Sequence, residues 1–248
     1  SVVISVLHTH AGPGRDWLER IAARRTDGVI IVGSRLSTRQ RGQLIARSIP
    51  FVVVDPEGEP APAVASVGAT NWHGGLEATR HLIELGHRRI GVIGGPPDML
   101  CSRARIDGYR AALETAGIPV DPELIRYGDF LVNSGHDQGH ELLSLPEPPT
   151  AIFAGCDMQA FGVFEAARQR GLRVPEDLSV IGFDDLPLSQ WAWPPLTTIR
   201  QPLQEMAALA ARMVLAMGRG EEVEARRIEL ATELVVREST APPRTGDQ

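Results

Sequence analysis

Short, nearly continuous runs of β-branched and aliphatic residues, separated by longer stretches with helical spacing, leave few folds open to this chain. The runs cover residues 2–7, 28–32, 51–55, 90–94, 151–155 and 178–183. A strand with water on one face alternates apolar and polar residues. These runs do not, so they predict strands of a parallel sheet covered on both faces. The spacing between them predicts helices over 14–25, 38–47, 71–85, 102–116, 134–143 and 157–170. In the 71–85 stretch Leu76, Thr79, Leu82 and Ile83 fall on one stripe, with Asn71 placed to cap it and Gly86 to end it. Strand–helix alternation of this kind means an α/β fold with right-handed crossovers.

Two breaks argue for two sheets. Gly95-Pro96-Pro97 follows the run at 90–94 where a helix should begin directly, and Pro194-Pro195 precedes residues 196–202. A last helix over 203–217 carries Met206, Leu209, Ala210, Met213 and Met217 on one side, and 226–236 alternates well enough for a final strand. Residues 241–248 read as a disordered tail. At 248 residues the chain is one large domain or two small ones.

Composition removes several function classes. All 25 basic residues are arginine, so a Schiff-base lysine, a P-loop lysine and a kinase lysine are excluded. The net charge of −6 lacks the footprint of a nucleic-acid-binding surface. Charge is uneven, because residues 1–50 hold eight arginines against Asp16, Glu19 and Asp27. Arg35, Arg39, Arg41 and Arg47 there read as a contact surface for an acidic partner or as a solvated helix face. Two cysteines, Cys101 and Cys156, are too few for a disulfide framework and suit a reducing compartment. With no apolar run long enough to span a bilayer and no signal-peptide pattern at residues 1–10, a cytoplasmic location is expected.

Few constellations carry chemistry. His136 and His140 share a helix face at the spacing that lets two histidines bind one zinc ion, but Asp137 replaces the zincin glutamate and no third ligand follows. The alternative is a polar helix face, with Asp137 completing a cap begun by Ser134. His8 and His10 alternate at a strand end and read as rim residues. Asp184 and Asp185 leave the carboxyl end of a strand, where open parallel sheets bind ligands. Adjacent residues there point apart, so one aspartate suits a ligand hydroxyl and the other a turn cap. Asp157 follows a strand and opens a helix, again as a cap. Arg103 and Arg105 begin a helix, a place the macrodipole disfavours for a cation unless an anionic or hydroxyl-rich group engages it. Phe130 is an aromatic at a strand end, suited to stacking on a sugar ring or to the core, and Trp191 and Trp193 suit a cleft wall or a hinge shield. No G-x-S-x-G elbow occurs, and residues 91–95 have the wrong spacing for a nucleotide fingerprint.

The stretches HLIELGHRRIGVIGGP (81–96), SRARIDGYRAAL (102–113), PPTAIFAGCDMQAFGV (148–163), VPEDLSVIGFDD (174–185), PPLTTIRQP (194–202) and ELVVREST (233–240) resemble the effector-binding core of LacI-family transcriptional regulators. The resemblance runs from about Thr26 to Thr240. It implies a type I periplasmic-binding-protein-like fold, with two Rossmann-like α/β subdomains of parallel strands joined by three crossovers and a small effector held between them. The expected boundaries are 1–95 with 201–220 for the N-terminal subdomain and 96–200 with 221–240 for the C-terminal one. The resemblance also implies roles: Arg105 for ligand hydroxyls, Phe130 for stacking on a sugar, Asp184 as the main ligand carboxylate, and Gln201 and His73 as further contacts. Cys156 stands where the family has the asparagine of an Asn-Asp pair. A thiol is a poor donor and acceptor, so an effector different from, or less polar than, a standard pyranose is expected.

Val2–Leu7 and the helix after it match the family's second strand and helix, which places on the order of 30 core residues upstream of Ser1 in a complete member. The function implied is effector sensing by a homodimeric DNA-binding regulator that reaches its operator through an N-terminal helix-turn-helix absent from this chain. No catalysis, cofactor, metal or membrane contact is expected. The rival readings are a sugar-binding receptor of a transporter, which shares the fold, and a metal-dependent hydrolase.

Overall fold

A computed structural model describes residues 26–33, 36–56, 61, 63–223 and 225–244. The expected strand over 2–7, the helix over 14–25, His8, His10 and Arg35 lie outside the described residues. The chain divides into two compact units, Ser1–Ala69 with Leu203–Leu230, and Thr70–Pro202 with Ala231–Gln248.

In the first unit, strands β1 (Val29–Val32), β2 (Phe51–Val54), β3 (Ala65–Ala69) and β9 (Arg227–Leu230) form a parallel sheet in that order. Helix α1 (Thr38–Ala46) follows β1, and α6 (Leu203–Gly218) returns from the second unit. The side chains of β2 divide between two faces, as the pleat requires. Val52 and Val54 pack with Met206, Ala210 and Met213 of α6, while Phe51 and Val53 pack with Leu44 of α1. Ser37 and Gln40 close a reciprocal cap at the start of α1. Arg39 and Arg47 are exposed and Arg41 is half-buried on this helix.

The second unit is a six-stranded sheet, ordered β10 (Glu233–Val235), β8 (Thr197–Arg200), β7 (Ser179–Asp184), β6 (Ala151–Ala154), β4 (Ile90–Gly94), β5 (Ile125–Tyr127). All pairs are parallel except β10 with β8. Helices α2 (Asn71–Glu84) and α3 (Leu100–Thr115) cover one face, and α4 (Val132–Leu142) and α5 (Asp157–Gln169) the other. Successive residues serve opposite faces. Val92, Phe153 and Ile181 join the core under α2 and α3, and Ile93, Ile152 and Val180 join the core under α4 and α5. This two-sided burial explains the absence of alternation in the sequence runs, and each such side chain contributes about 1.5–3 kcal/mol.

Several expectations need correction. The subdomain boundary does not fall at residue 95, because β4 pairs with β5 and β6 and α2 packs in the same core, so the break lies between Ala69 and Thr70. Residues 221–230 belong to the first unit rather than the second, since β9 pairs with β3. The single expected strand over 226–236 is therefore two short strands in different sheets. Nor are residues 241–244 a loose tail. Ala241 exchanges hydrogen bonds with Ser179 and accepts one from His87, while Arg244 pairs with Asp177. Strand β3 escaped the reading because Ala65-Ser-Val-Gly-Ala69 has one β-branched aliphatic residue.

Candidate functional site

The polar cluster in the second unit is assembled at the carboxyl ends of β4, β6 and β7, together with the starts of α2, α3 and α5. Helices α2 and α3 meet at backbone distance through two glycines. A side chain at Gly75 would collide with the Arg105 carbonyl, and one at Gly108 with the Trp72 carbonyl. This contact sets Arg105, in the second turn of α3, against the first turn of α2.

Arg105 is 4% exposed, and its guanidinium carbon lies 3.7 Å from the centre of the Phe183 ring. Nε donates to Asn71 Oδ1 at 2.9 Å and Nη1 to the Gly155 carbonyl at 2.5 Å. Asp184 Oδ1 lies 3.8 Å from Nη1, close enough for charge attraction but beyond a direct hydrogen bond. The aromatic face and carboxylate make up for the desolvation of the cation.

Asp184 ends β7 with φ at +116° and Asp185 follows at +58°, both rare for residues with side chains. The two depart in opposite directions. Gln201 Nε2 donates to Asp184 Oδ1 at 2.6 Å, and the Gln201 amide donates to the Asp184 carbonyl. Asp185 instead takes Arg237 on Oδ1 at 2.6 Å and Arg200 on Oδ2 at 2.7 Å. Burial raises the pKa of Asp185, and the two guanidiniums outweigh it, holding the carboxyl below the usual range. The expected turn cap is thus an ion-paired brace. Gln201 is 93% buried by residue exposure of 7%, and its Oε1 is buried with no hydrogen-bond partner. A buried acceptor left unpaired costs free energy unless something donates to it.

Cys156 caps α5, with its sulfur 3.5 Å from the Gln159 amide, and its thiol donates to the Phe130 carbonyl at 3.2 Å. Burial, with the charge of Asp184 nearby, pushes the thiol up to about 12, so it stays protonated. Phe130 sits at φ +66°, its ring against the backbone of Gly95 and 5.7 Å from the Arg105 guanidinium carbon. His73 makes no bond to the cluster among the described residues, and its exposed ring pairs with Glu77 at 3.6 Å. Arg103 is exposed.

Asp157 is not the cap of its helix, since Cys156 holds that place. Its carboxylate is fully buried and accepts from the Leu186 amide, Ser189 and Thr198. Burial pushes this carboxyl up, against the lowering effect of those three hydrogen bonds. Asn71 does not cap α2 either: Thr70 precedes the helix, and Asn71 accepts from Arg105. Ser134 starts no capping box, because Leu131 precedes α4 and Ser134 bonds the Leu131 carbonyl. His136 is engaged by Asp137 and Gln169, and among the described residues no three His, Cys, Asp or Glu side chains are grouped to hold a metal ion.

Residues 79–240 match the family model described as periplasmic binding protein-like domain. The chain is 38% identical over 230 residues to the HTH-type transcriptional repressor CytR of Escherichia coli strain K12, covering 91% of this chain and 66% of that protein. It therefore spans about two thirds, 66%, of the length of that curated relative. Among solved structures, a transcriptional regulator CelR–cellobiose complex superposes with a TM-score of 0.83 at 38% identity, covering 90% of this chain and 68% of that one. A LacI-family regulator from Enterococcus faecium with bound ribose gives 0.85 at 31% identity, covering 93% and 85%. The chain belongs to the periplasmic-binding-protein-like domain family and, within it, to the LacI family of transcriptional regulators.

Proposed function

We propose that this chain is the effector-sensing core of a LacI-type DNA-binding transcriptional regulator, and that a small sugar-like metabolite is its effector. The observation that carries the reading is the buried, unpartnered Oε1 of Gln201 beside the Arg105–Asp184 pair. A ligand hydroxyl satisfies such an acceptor by donating, and the same or a neighbouring hydroxyl accepts from arginine. Arg105 Nη2 makes no hydrogen bond among the described residues, which leaves it for that purpose. Phe130 offers a ring for stacking, Cys156 lies behind it, and His73 enters the site only as an outer contact from the first turn of α2. The sugars bound in the CelR–cellobiose and ribose-bound relatives support the same ligand class.

Effector binding then biases a two-state equilibrium in a homodimer and changes DNA affinity through a helix-turn-helix beyond this chain. The exposed Trp191, Trp193 and Leu188 are a surface of the kind that association between copies covers. No reaction is assigned: the Cys156 thiol is held protonated, and both oxygens of Asp185 are occupied by arginines. Among the described residues no helix is long and apolar enough to cross a membrane, and the proposed location is the cytoplasm.

A thermal-shift screen with ribose, cellobiose and nucleosides tests the reading. A ligand at 100 times its Kd adds about 2.7 kcal/mol, and that gain should vanish in Arg105→Ala. A gain that survives the substitution would remove the site from the proposal.

A further inference from the structure

We propose that Cys156 is a positioning residue, whose thiol meets not the effector but the backbone of Phe130, so that it tunes effector affinity through that ring. The inference rests on the reading that Phe130 faces the effector. Three observations carry it. The sulfur of Cys156, a residue 4% exposed, donates its one proton to the Phe130 carbonyl at 3.2 Å, nearer than the other acceptor, Gln159 Oε1 at 3.7 Å, and accepts from the Gln159 amide at 3.5 Å, so both of its hydrogen-bonding capacities are used inside the protein. Phe130 is held at φ +66°, a conformation that a phenylalanine keeps only where its surroundings enforce it. Its carbonyl has no other partner among the described residues.

The neighbours of Phe130 are tied down independently. The Leu131 amide donates to Asp129 Oδ1 at 3.0 Å, the Asp129 amide donates to Ser134 Oγ at 3.1 Å, and Ser134 Oγ donates to the Leu131 carbonyl at 3.0 Å. These bonds fix the turn and hold the N–H side of the peptide after Phe130, while its carbonyl side is held by the thiol. The ring rests on Gly95, where a Cβ would collide with it. Gln159 completes the frame, donating from Nε2 to the Gly94 carbonyl at 3.0 Å. Cys156 therefore couples the start of α5 to the ring face that adjoins Arg105.

The test uses Cys156→Ala and Cys156→Ser, each alone and with Phe130→Ala, titrated with ribose and cellobiose by calorimetry. Hydrogen exchange over residues 128–133 is followed in the unliganded proteins. Cys156→Ala is expected to weaken sugar binding about fivefold, the worth of one neutral hydrogen bond, and to speed exchange at 128–133. Cys156→Ser keeps a donor for the carbonyl and restores both. In the Phe130→Ala background Cys156→Ala should cause no further loss. The same loss in both backgrounds, or exchange unchanged by Cys156→Ala, overturns the proposal. If neither sugar binds the parent protein, exchange alone decides. Faster exchange together with sugar binding indifferent to Phe130→Ala would sink the effector site and leave the coupling of Cys156 to Phe130 standing.

Discussion

Asp157 and Asp184 belong to one unit and both lie at strand–helix junctions, yet their surroundings are opposite. Asp157 is sealed: Thr198 donates to one oxygen at 2.5 Å, and Ser189 and the Leu186 amide donate to the other at 2.5 and 2.8 Å. Every donor around it is used, so the network fixes the loop after β7 and has nothing to offer a ligand. The Asp184 cluster is open. Its arginine stands at 3.8 Å, and its glutamine keeps a buried oxygen unpaired. A closed polar network adds rigidity, while an open one holds hydrogen-bonding capacity for a further group.

The largest expected effect lies on the closed side. Asp157→Ala leaves two buried hydroxyls, of Ser189 and Thr198, and the half-buried Leu186 amide without an acceptor, and at about 1–3 kcal/mol for each orphaned group the loss of stability should be about 3 kcal/mol or more. That corresponds to roughly 6–12 °C in Tm for a protein of this size. Thermal melting checks it, and a loss below about 1 kcal/mol would mean that the loop is held by other contacts.

Asp184→Asn should reverse the pattern. Ribose or cellobiose affinity is expected to fall about 100-fold, the range of a charged hydrogen bond, while Tm without sugar falls by less than in Asp157→Ala, because the Phe183 face and two hydrogen bonds still hold Arg105. Gln201→Met sharpens the contrast further. It removes the unpaired oxygen together with the Nε2 bond to Asp184, two changes of opposite sign, so unliganded stability should change by less than in Asp157→Ala, with affinity down about tenfold. Calorimetry and melting on the same samples separate the two readouts. If Asp184→Asn or Gln201→Met lost stability as Asp157→Ala does, the distinction between open and closed networks would fail.

The sequence made part of this contrast legible. Continuous runs such as 151–155 and 178–183 identified strands covered on both faces, because two-sided burial removes alternation. Asp184 and Asp185 were separable because a strand throws adjacent side chains apart, and Arg105 stood out as a cation near a helix start. The role of Asp157 was not legible. As the first residue of a helix it reads as a cap, and its true partners, Ser189 and Thr198, lie 32 and 41 residues away. Asn71 was hidden in the same way by its suitability as a cap, although an Asn whose helix has a threonine before it is a usable signal. Phe183 was read only as the end of a strand run, since nothing local says that one of its faces carries a guanidinium. The boundary at 95 failed because Gly95-Pro96-Pro97 marks a turn within one unit as readily as a passage between two.

The smallest expected effect concerns a second closed network, at His87. This ring is 1% exposed, with Nδ1 2.8 Å from Thr150 Oγ1 and Nε2 2.9 Å from the Ala241 carbonyl. The carbonyl accepts only, so Nε2 carries the proton and Nδ1 accepts from Thr150. Burial holds the pKa of His87 below 6.5, partly offset by the bond to Ala241. A lowered value means that the unfolded chain takes up the proton first. The stability from the neutral ring is therefore complete above 6.5 and declines as pH falls from there toward the folded-state value, below which the curve is flat. His81, near Thr240, is lowered by burial too and adds to the same slope, while the half-buried His136 is raised by its hydrogen bond to Asp137 and opposes it. Urea midpoints for the parent and His87→Gln at pH 8 and 5.5 isolate the share of His87. Glutamine keeps a donor and an acceptor but does not titrate, so the drop between the two pH values should shrink. An equal drop in both proteins would show that protonation reaches His87 without breaking the network, and that this network is less closed than the one around Asp157.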